Sequence, residues 1–407
     1  MLAAALFAPH VARSQSRPKV LVIGGGIGGV TLAKSLTDGA SLDVTVIEPR
    51  RAYTTCFFSN QYLAGLRTFA QLTHAYDALA RRPGVTMVHD TATMIDPASR
   101  TVRLGGGATL SYDRLVLAPG STIRDDAIEG YDAAAIKVMP HAWKAGEQTL
   151  TLRRQLESMA DGGLFVMVAP PDPFPCPPAP YERVSLIAAY FKQHKPRSKI
   201  IVLDAKETFS GQDLFQDAWN RYYPDMIEWL PAHFTGGIKA VESGTLTLRT
   251  ENEGFKAAVA NVIPAHRAGD LARQTGLADA SSWCPVNPLT FESRLQPGIH
   301  LVGDAVIGGD MPKTAFAANS QAKACAIAIA ASFTDKAAAT TRLANTCYVH
   351  LATDDAWRNA SEFEPASGRI KTIHADISRV SDSAETRRAV AREAADWYET
   401  FTKDLFG

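Results

Sequence analysis

The apolar positions of this chain fall into short, nearly continuous runs, and that pattern predicts buried parallel strands covered by helices on both faces. Lys19-Val-Leu-Val-Ile23 is the first run, β-branched and apolar after its opening lysine. A cluster of glycines follows at once, and Val30 to Ser35 continues with helical spacing. Asp43-Val-Thr-Val-Ile47 predicts a second strand of the same kind. The pattern returns mid-chain in Leu164-Phe-Val-Met-Val-Ala169 and in Ser198-Lys-Ile-Ile-Val-Leu203, which ends at Asp204. It appears once more in Gly298-Ile-His-Leu-Val-Gly-Asp304. From Met311 to Ala331 an alanine-rich stretch predicts a helix with Pro312 in its first turn. No uninterrupted apolar stretch reaches about 18 residues, so no transmembrane segment is predicted.

The first strand, the glycines and the second strand together predict a dinucleotide site. Gly24, Gly26 and Gly29 stand at the G-x-G-x-x-G positions between a strand and a helix. The first glycine permits the tight turn, the second lets backbone approach a pyrophosphate, and the third allows close helix–strand packing. The helix N-terminus then offers free N–H groups to the phosphates. Glu48 ends the second strand about twenty residues on, where an acid should bind ribose hydroxyls.

Length adds a constraint: 407 residues exceed one ordinary core, so two or three domains are expected. A formal net charge of +0 carries no footprint of a nucleic-acid binder. Residues 1–17 predict the remnant of an export signal. Met1 to Pro9 is small and apolar and a polar stretch follows Ala12-Arg13-Ser14, although the usual basic start is missing. A periplasmic location is the expectation.

The middle of the chain predicts a second Rossmann-like unit with its phosphate site removed. After Leu164–Ala169 the chain reads Pro170-Pro-Asp-Pro-Phe-Pro-Cys-Pro-Pro-Ala-Pro180, where a second glycine fingerprint would be needed. Proline has no N–H to offer a phosphate and fixes φ, so this loop builds no pyrophosphate cradle, and NAD is not expected as a cofactor. Cys176 lies in that stiff loop. It is one of five cysteines, with Cys56, Cys284, Cys325 and Cys347. No C-x-x-C-H for haem and no zinc-like spacing occurs, so neither haem nor a metal site is expected on this chain. Cys325 reads as a core residue of an apolar helix and Cys284 as structural.

Later segments resemble known flavoproteins. Leu115-Val-Leu-Ala-Pro-Gly-Ser121 resembles the strand and turn that pass the dinucleotide in two-dinucleotide flavoproteins, and Gly303-Asp304 resembles the strand end whose aspartate bonds the flavin's ribityl chain. From about Lys19 to Gly407 the chain is similar to the flavoprotein subunit of flavocytochrome c sulfide dehydrogenases. Ala52-Tyr-Thr-Thr-Cys-Phe-Phe-Ser-Asn60 resembles the segment joined to FAD by an 8α-S-cysteinyl thioether, which implies attachment at Cys56. Pro175-Cys-Pro-Pro-Ala-Pro-Tyr-Glu-Arg183 and Asn345-Thr-Cys-Tyr348 resemble the loops that carry the redox-active disulfide. Gly303-Asp-Ala, Met311-Pro-Lys-Thr314 and Phe316-Ala-Ala-Asn-Ser-Gln321 resemble the flavin-binding stretch, implying contacts from Gly303, Asp304, Lys313 and Thr314. Trp397-Tyr398 through Gly407 resembles the end of the family's small third domain.

The resemblance implies an α/β fold with two Rossmann-like domains and a small C-terminal α+β domain. Residues 18–123 and 288–333 would bind FAD, 124–287 would form the second unit, and 334–407 would close over the flavin and face a partner. It also implies a reaction. Hydrosulfide opens a Cys176–Cys347 disulfide, sulfur leaves as S(0) or polysulfide, and FAD passes electrons to a c-type cytochrome subunit. Glu182 would move protons beside Cys176, or else pair with Arg183 as an ordinary loop carboxylate. Two other readings share the features: a sulfide:quinone oxidoreductase, and a non-catalytic redox partner of a periplasmic sulfur-oxidation system.

Overall fold

The computed structural model describes residues 17–39, 41–334 and 337–407. The expected export signal lies outside them, apart from Arg17. In chain order the elements that position the site begin with β1 (Lys19–Ile23), α1 (Ile27–Gly39), β2 (Asp43–Ile47), β3 (Val85–Val88) and β4 (Arg114–Leu117). The middle supplies β5 (Leu164–Ala169), α2 (Ala179–His194), β6 (Lys199–Asp204), β7 (Ile227–Leu230) and β8 (Val259–Val262). Then come β9 (Ile299–Leu301), α3 (Ala315–Ala331), β10 (Leu343–Ala352), β11 (Asp355–Ala366), β12 (Arg369–Ile377) and α4 (Ala384–Phe406).

Five strands form the first sheet in the order β9-β4-β1-β2-β3, and every pairing is parallel. Its central strand β1 buries Val20 through Ile23, none more than 7% exposed, which is why that run carries no alternation. The sheet closes only when β9 arrives from near residue 300 to lie beside β4, so both sides of the inserted middle contribute. The long helix α3 packs against α1, where Asn319 Nδ2 donates to Thr31 Oγ1 at 2.8 Å between buried side chains. Alanines along α3 keep that approach close, and Cys325 is fully buried there.

One expected boundary is corrected. Pro312 is not in the first turn of α3, because Thr314 is the N-cap. Thr314 is extended (φ −144°, ψ 166°) and its Oγ1 accepts from Ala317 N–H at 3.1 Å, so the helix starts at Ala315.

The second sheet, β7-β6-β5-β8, is also all parallel. The third is antiparallel, β10-β11-β12, and with α4 it makes a small α+β part. Strand β10 spans both large cores. Leu343 at one end joins the core of the first sheet, and Val349 and Leu351 at the other join that of the second. The fold is therefore α/β with two Rossmann-like units bridged by a small α+β part, and Cys347 sits mid-bridge.

Candidate active site

The glycine turn has the shape that a dinucleotide needs. Gly24 has φ +105°, and a Cβ there would meet Ala118 O at 2.4 Å. A Cβ on Gly29 would lie 1.9 Å from Gly24 O, so α1 can press on the turn only with glycine there. Gly26 differs: its Cβ would meet nothing nearer than Tyr53 at 3.8 Å, so this backbone faces open space. Glu48 closes the turn, with Oε2 accepting from Gly25 N–H at 2.8 Å and Oε1 from Arg50 Nε at 2.8 Å. Burial pushes the Glu48 carboxyl up, but Arg50 and the Gly25 N–H overcome that and hold it below the usual range.

Across the cleft, Asp304 follows β9. Its carboxylate accepts no hydrogen bond from the described residues, and burial pushes it up against the pull of Lys313 and Lys144. Lys313 Nζ donates to the carbonyls of Asp304 (2.9 Å) and Val306 (2.6 Å) and lies 3.9 Å from the Trp283 ring centroid. Burial lowers its ammonium to about 8, opposed by Asp304. Cys56 is exposed, yet burial still pushes its thiol up. A side chain that water reaches but protein surrounds lines an open cleft. Ala145 N–H points at Cys56 Sγ from 3.4 Å, and the charges of Asp304, Arg50 and Lys144 act on it. The open face of Gly26, the unpartnered carboxylate of Asp304 and the reachable sulfur of Cys56 thus fit an FAD laid along this cleft. Gly24, Gly26, Gly29 and Glu48 would hold its diphosphate and ribose, Asp304 its polyol, and Gly303, Lys313, Thr314 and Cys56 its ring end.

The segment around Cys56 is fastened to α4. Tyr398 OH reaches Thr55 Oγ1 (3.0 Å), His74 Nε2 (3.1 Å) and the Gln71 carbonyl (2.9 Å). Phe57 meets Trp397 edge-on at 5.9 Å, and Trp397 stacks on Phe401 at 4.8 Å. Trp397 is half-buried in this aromatic cluster.

Cys176 and Cys347 come together through a continuous set of hydrogen bonds. Cys176 N–H donates to the Lys313 carbonyl at 2.7 Å. The next residue, Thr314, donates through Oγ1 to Asn345 Oδ1 at 2.5 Å, and Asn345 Nδ2 lies 3.5 Å from Cys347 Sγ. Cys176 has φ +57°, a left-handed conformation uncommon outside glycine and typical of functional loops. Cys176 and Cys347 are both free cysteines in this structure, and the implied disulfide between them is not formed in it. Burial pushes the Cys176 thiol well up, and among charges Cys347 adds most, followed by Glu182 and Asp304. The Cys347 thiol is raised by burial to about 11, with Asn345 and Thr314 opposing.

Glu182 stands beside this pair. Its Oε2 accepts from Asn60 Nδ2 at 2.7 Å and its Oε1 from His350 N–H at 2.9 Å, with His350 Nδ1 at 3.5 Å. The pairing with Arg183 does not form. The Arg183 guanidinium is buried and donates to Asn60 Oδ1, Asn261 Oδ1 and the carbonyls of His141 and Ala142. Asn60, His350 and Asn345 are thus site residues that the sequence did not flag. Asn60 and Asn345 lie inside the Cys56 and Cys347 motifs but carry no local signal of a role, and nothing local marks His350.

In the second unit Asp204, at the end of β6, is 1% exposed. It accepts from Tyr181 OH (2.5 Å), Trp229 Nε1 (2.9 Å) and Lys206 Nζ (2.6 Å). Its carboxylate is spent on the protein.

Residues 149–264 match the family profile for the central domain of the sulfide dehydrogenase (flavocytochrome c) flavoprotein chain, and 339–406 that of the flavocytochrome c sulphide dehydrogenase flavin-binding domain. Residues 18–158 match pyridine nucleotide-disulphide oxidoreductases. The sulfide dehydrogenase flavoprotein chain of Chlorobaculum thiosulfatiphilum is 49% identical over 43 residues, 10% of this chain and 90% of that sequence. The chain belongs to the flavocytochrome c sulfide dehydrogenase flavoprotein family. Mouse mitochondrial sulfide:quinone oxidoreductase is 23% identical over 312 residues, 70% of this chain and 65% of its own length. Sulfide-quinone reductase of Aquifex aeolicus is 29% identical over 157 residues, 37% of this chain and 34% of its own. The chain thus matches about a third to two thirds of the length of these two relatives. The crystal structure of the Aquifex aeolicus sulfide:quinone oxidoreductase superposes with a TM-score of 0.73 at 17% identity, covering 94% of this chain and 92% of that one. A putidaredoxin reductase–putidaredoxin complex gives 0.66 at 17% identity, covering 93% and 94%. At that identity the likeness is one of fold.

Proposed function

We propose that this flavoprotein oxidises hydrosulfide through a Cys176–Cys347 disulfide next to FAD and passes the electrons to a c-type cytochrome. The observation that carries the reading is the bonded chain from Cys176 through Lys313, Thr314 and Asn345 to Cys347. It holds two cysteines 171 positions apart (347 less 176) at the N-terminus of the flavin-site helix α3. Hydrosulfide adds to one sulfur of the disulfide and expels the other as a thiolate, giving a persulfide. Overall, HS⁻ loses one proton and two electrons to become S(0). Glu182, oriented by Asn60 and the His350 N–H, takes the proton. FAD, when bound, supplies the two-electron acceptor and its one-electron release to the cytochrome. Cys56 is the point of its covalent attachment.

Two features support the choice of electron partners. The proline loop after β5 and the spent carboxylate of Asp204 argue against NAD(P)H. The outward side of α4 carries Glu385, Arg388, Arg392 and Asp396, all exposed, a charged surface that suits a protein partner better than a membrane-dipping quinone reductase. Function in the periplasm follows from the same reading. The test is anaerobic addition of sulfide to the purified holoprotein, followed at the flavin absorbance, with and without ferricytochrome c. The flavin bleaches and the cytochrome is reduced in wild type, and Cys176→Ser and Cys347→Ser abolish both. Full sulfide-dependent bleaching in both variants would refute the proposal.

A further inference from the structure

The two sulfurs of the pair sit in unequal surroundings, and that inequality gives the attack a direction. Asn345 faces Cys347 Sγ with its Nδ2 at 3.5 Å. Thr314 Oγ1 accepts from Ala317 N–H and donates its own proton to Asn345 Oδ1 at 2.5 Å, which orients the amide with Nδ2 toward the sulfur. Oδ1 lies 3.7 Å from the same sulfur and accepts from its S–H, while the NH2 group is the nearer end and the one that can donate to a thiolate. Cys347 therefore has a side-chain donor ready for negative charge.

Cys176 has no equivalent. Pro175, Pro177, Pro178 and Pro180 flank it and have no N–H to give. Ala179 N–H is the nearby donor that favours charge on its sulfur, but that group already bonds the Cys176 carbonyl at 2.9 Å. The negative charges of Glu182 and Asp304 also bear on Cys176, whereas of these two only Glu182 bears on Cys347. In the first turn of α2 Pro180 has no N–H for a thiolate, and that of Ala179 is shared with the Cys176 carbonyl.

Thiol–disulfide exchange favours departure of the better-stabilised thiolate. We infer that hydrosulfide attacks Cys176 and that Cys347 is the leaving thiolate, held by the amide of Asn345 that Thr314 orients. A bond forms between the incoming sulfur and Cys176 Sγ. The Sγ–Sγ bond breaks with its electron pair going to Cys347 Sγ, and the proton stays on the terminal sulfur, so one negative charge enters and one remains. Cys176 carries the sulfane sulfur, and Cys347 is the electron-rich sulfur next to Thr314 at the head of α3. Asn345 and Thr314 act here as positioning residues. The inference rests on the disulfide reading above.

The experiment uses the oxidised holoprotein under anaerobic conditions, mixed with less than one equivalent of sodium sulfide and quenched within its first turnover by a thiol-alkylating maleimide. Peptide masses then locate the added sulfur. The expected result is one extra sulfur on the Cys176 peptide and a simple maleimide adduct on the Cys347 peptide. Extra sulfur on Cys347 overturns the inference and leaves the disulfide reading standing, whereas no extra sulfur on either peptide overturns both. A rate measurement guards against migration of sulfur between the two. Thr314→Val slows disulfide opening by sulfide about tenfold, the scale of one hydrogen bond to a charged group, and Thr314→Ser restores it. In the reduced Thr314→Val protein the pH midpoint for alkylation of Cys347 rises while that of Cys176 stays in place. Unchanged rate and midpoint in Thr314→Val would overturn the inference.

Discussion

Gly26 and Gly29 belong to one motif for opposite reasons, and replacing each with alanine separates a role in folding from a role in binding. In Gly29→Ala the new methyl would start 1.9 Å from Gly24 O, and real Cβ contacts essentially never fall below 3.0 Å. Helix α1 must therefore move more than 1 Å off a turn that also carries Gly24 at φ +105°. Overpacking of this kind costs about 1–3 kcal/mol or more, a sizeable part of the roughly 5–15 kcal/mol that holds a domain together. In Gly26→Ala the methyl meets nothing within 3.4 Å, its nearest neighbour being Tyr53 at 3.8 Å. The apoprotein should lose less than about 0.5 kcal/mol, as at an ordinary surface position. The same methyl occupies the space where a diphosphate must touch backbone, so flavin binding should fail. The assay is urea unfolding of flavin-free protein by tryptophan fluorescence, in a Cys56→Ser background where flavin is removable, followed by FAD titration of each variant. Gly29→Ala should show a lowered midpoint, and Gly26→Ala a wild-type midpoint with FAD affinity lost. A Gly26→Ala protein that binds FAD like wild type would refute the placement of the cofactor against that turn.

Three further outcomes follow from the site. Glu182→Gln keeps an acceptor oxygen for only one of Asn60 Nδ2 and the His350 N–H, turns a donor toward the other and cannot take a proton, so sulfide-dependent flavin reduction should slow about a hundredfold and the unpaired donor should cost about 1–3 kcal/mol in urea unfolding; an unchanged rate would remove Glu182 from the chemistry. Tyr398→Phe strips a shared partner from Thr55, His74 and the Gln71 carbonyl and should cost about 2 kcal/mol in urea unfolding; a loss below about 0.5 kcal/mol would show that α4 is not fastened through this hydroxyl. Burial, assisted by Arg183, lowers His141 to about 3, and burial, assisted by Lys144, lowers His266 to about 4, against 6.5 for both in an open chain. The unfolded chain therefore binds more protons below pH 6.5, and stability should fall as pH drops toward 4, by up to about 1.4 kcal/mol per pH unit for each histidine. His266→Phe should flatten that slope in pH-dependent urea unfolding, and an identical slope would contradict the assignment.

The parts of the fold legible in the sequence were those whose physics is local. β1, the glycine turn, α1 and β2 lie in one short stretch, and each glycine's reason for being there depends on neighbours a few positions away. The proline loop was legible too, because a missing N–H needs no tertiary context. The start of α3 was misread: proline favours a first helical turn in general, but Thr314 two positions on has a side chain that caps the helix and its own contact with Asn345. The surroundings of Glu182 were the least legible. Its neighbour Arg183 bonds Asn60 across 123 positions and Asn261 across 78, so the adjacent opposite charge that suggested an ion pair is spent elsewhere. Asn345 carried no periodicity or spacing signal, since its task depends on a hydroxyl 31 positions earlier.

The most direct measurement is a map of thiols in the air-oxidised, denatured holoprotein. It would be alkylated before and after reduction and digested for peptide masses. Cys176 and Cys347 should be protected before reduction and recovered as one linked pair, with Cys284 and Cys325 free and Cys56 carrying the mass of FAD. Free alkylation of both Cys176 and Cys347 before reduction, in protein whose flavin is fully oxidised, would contradict the account at its centre.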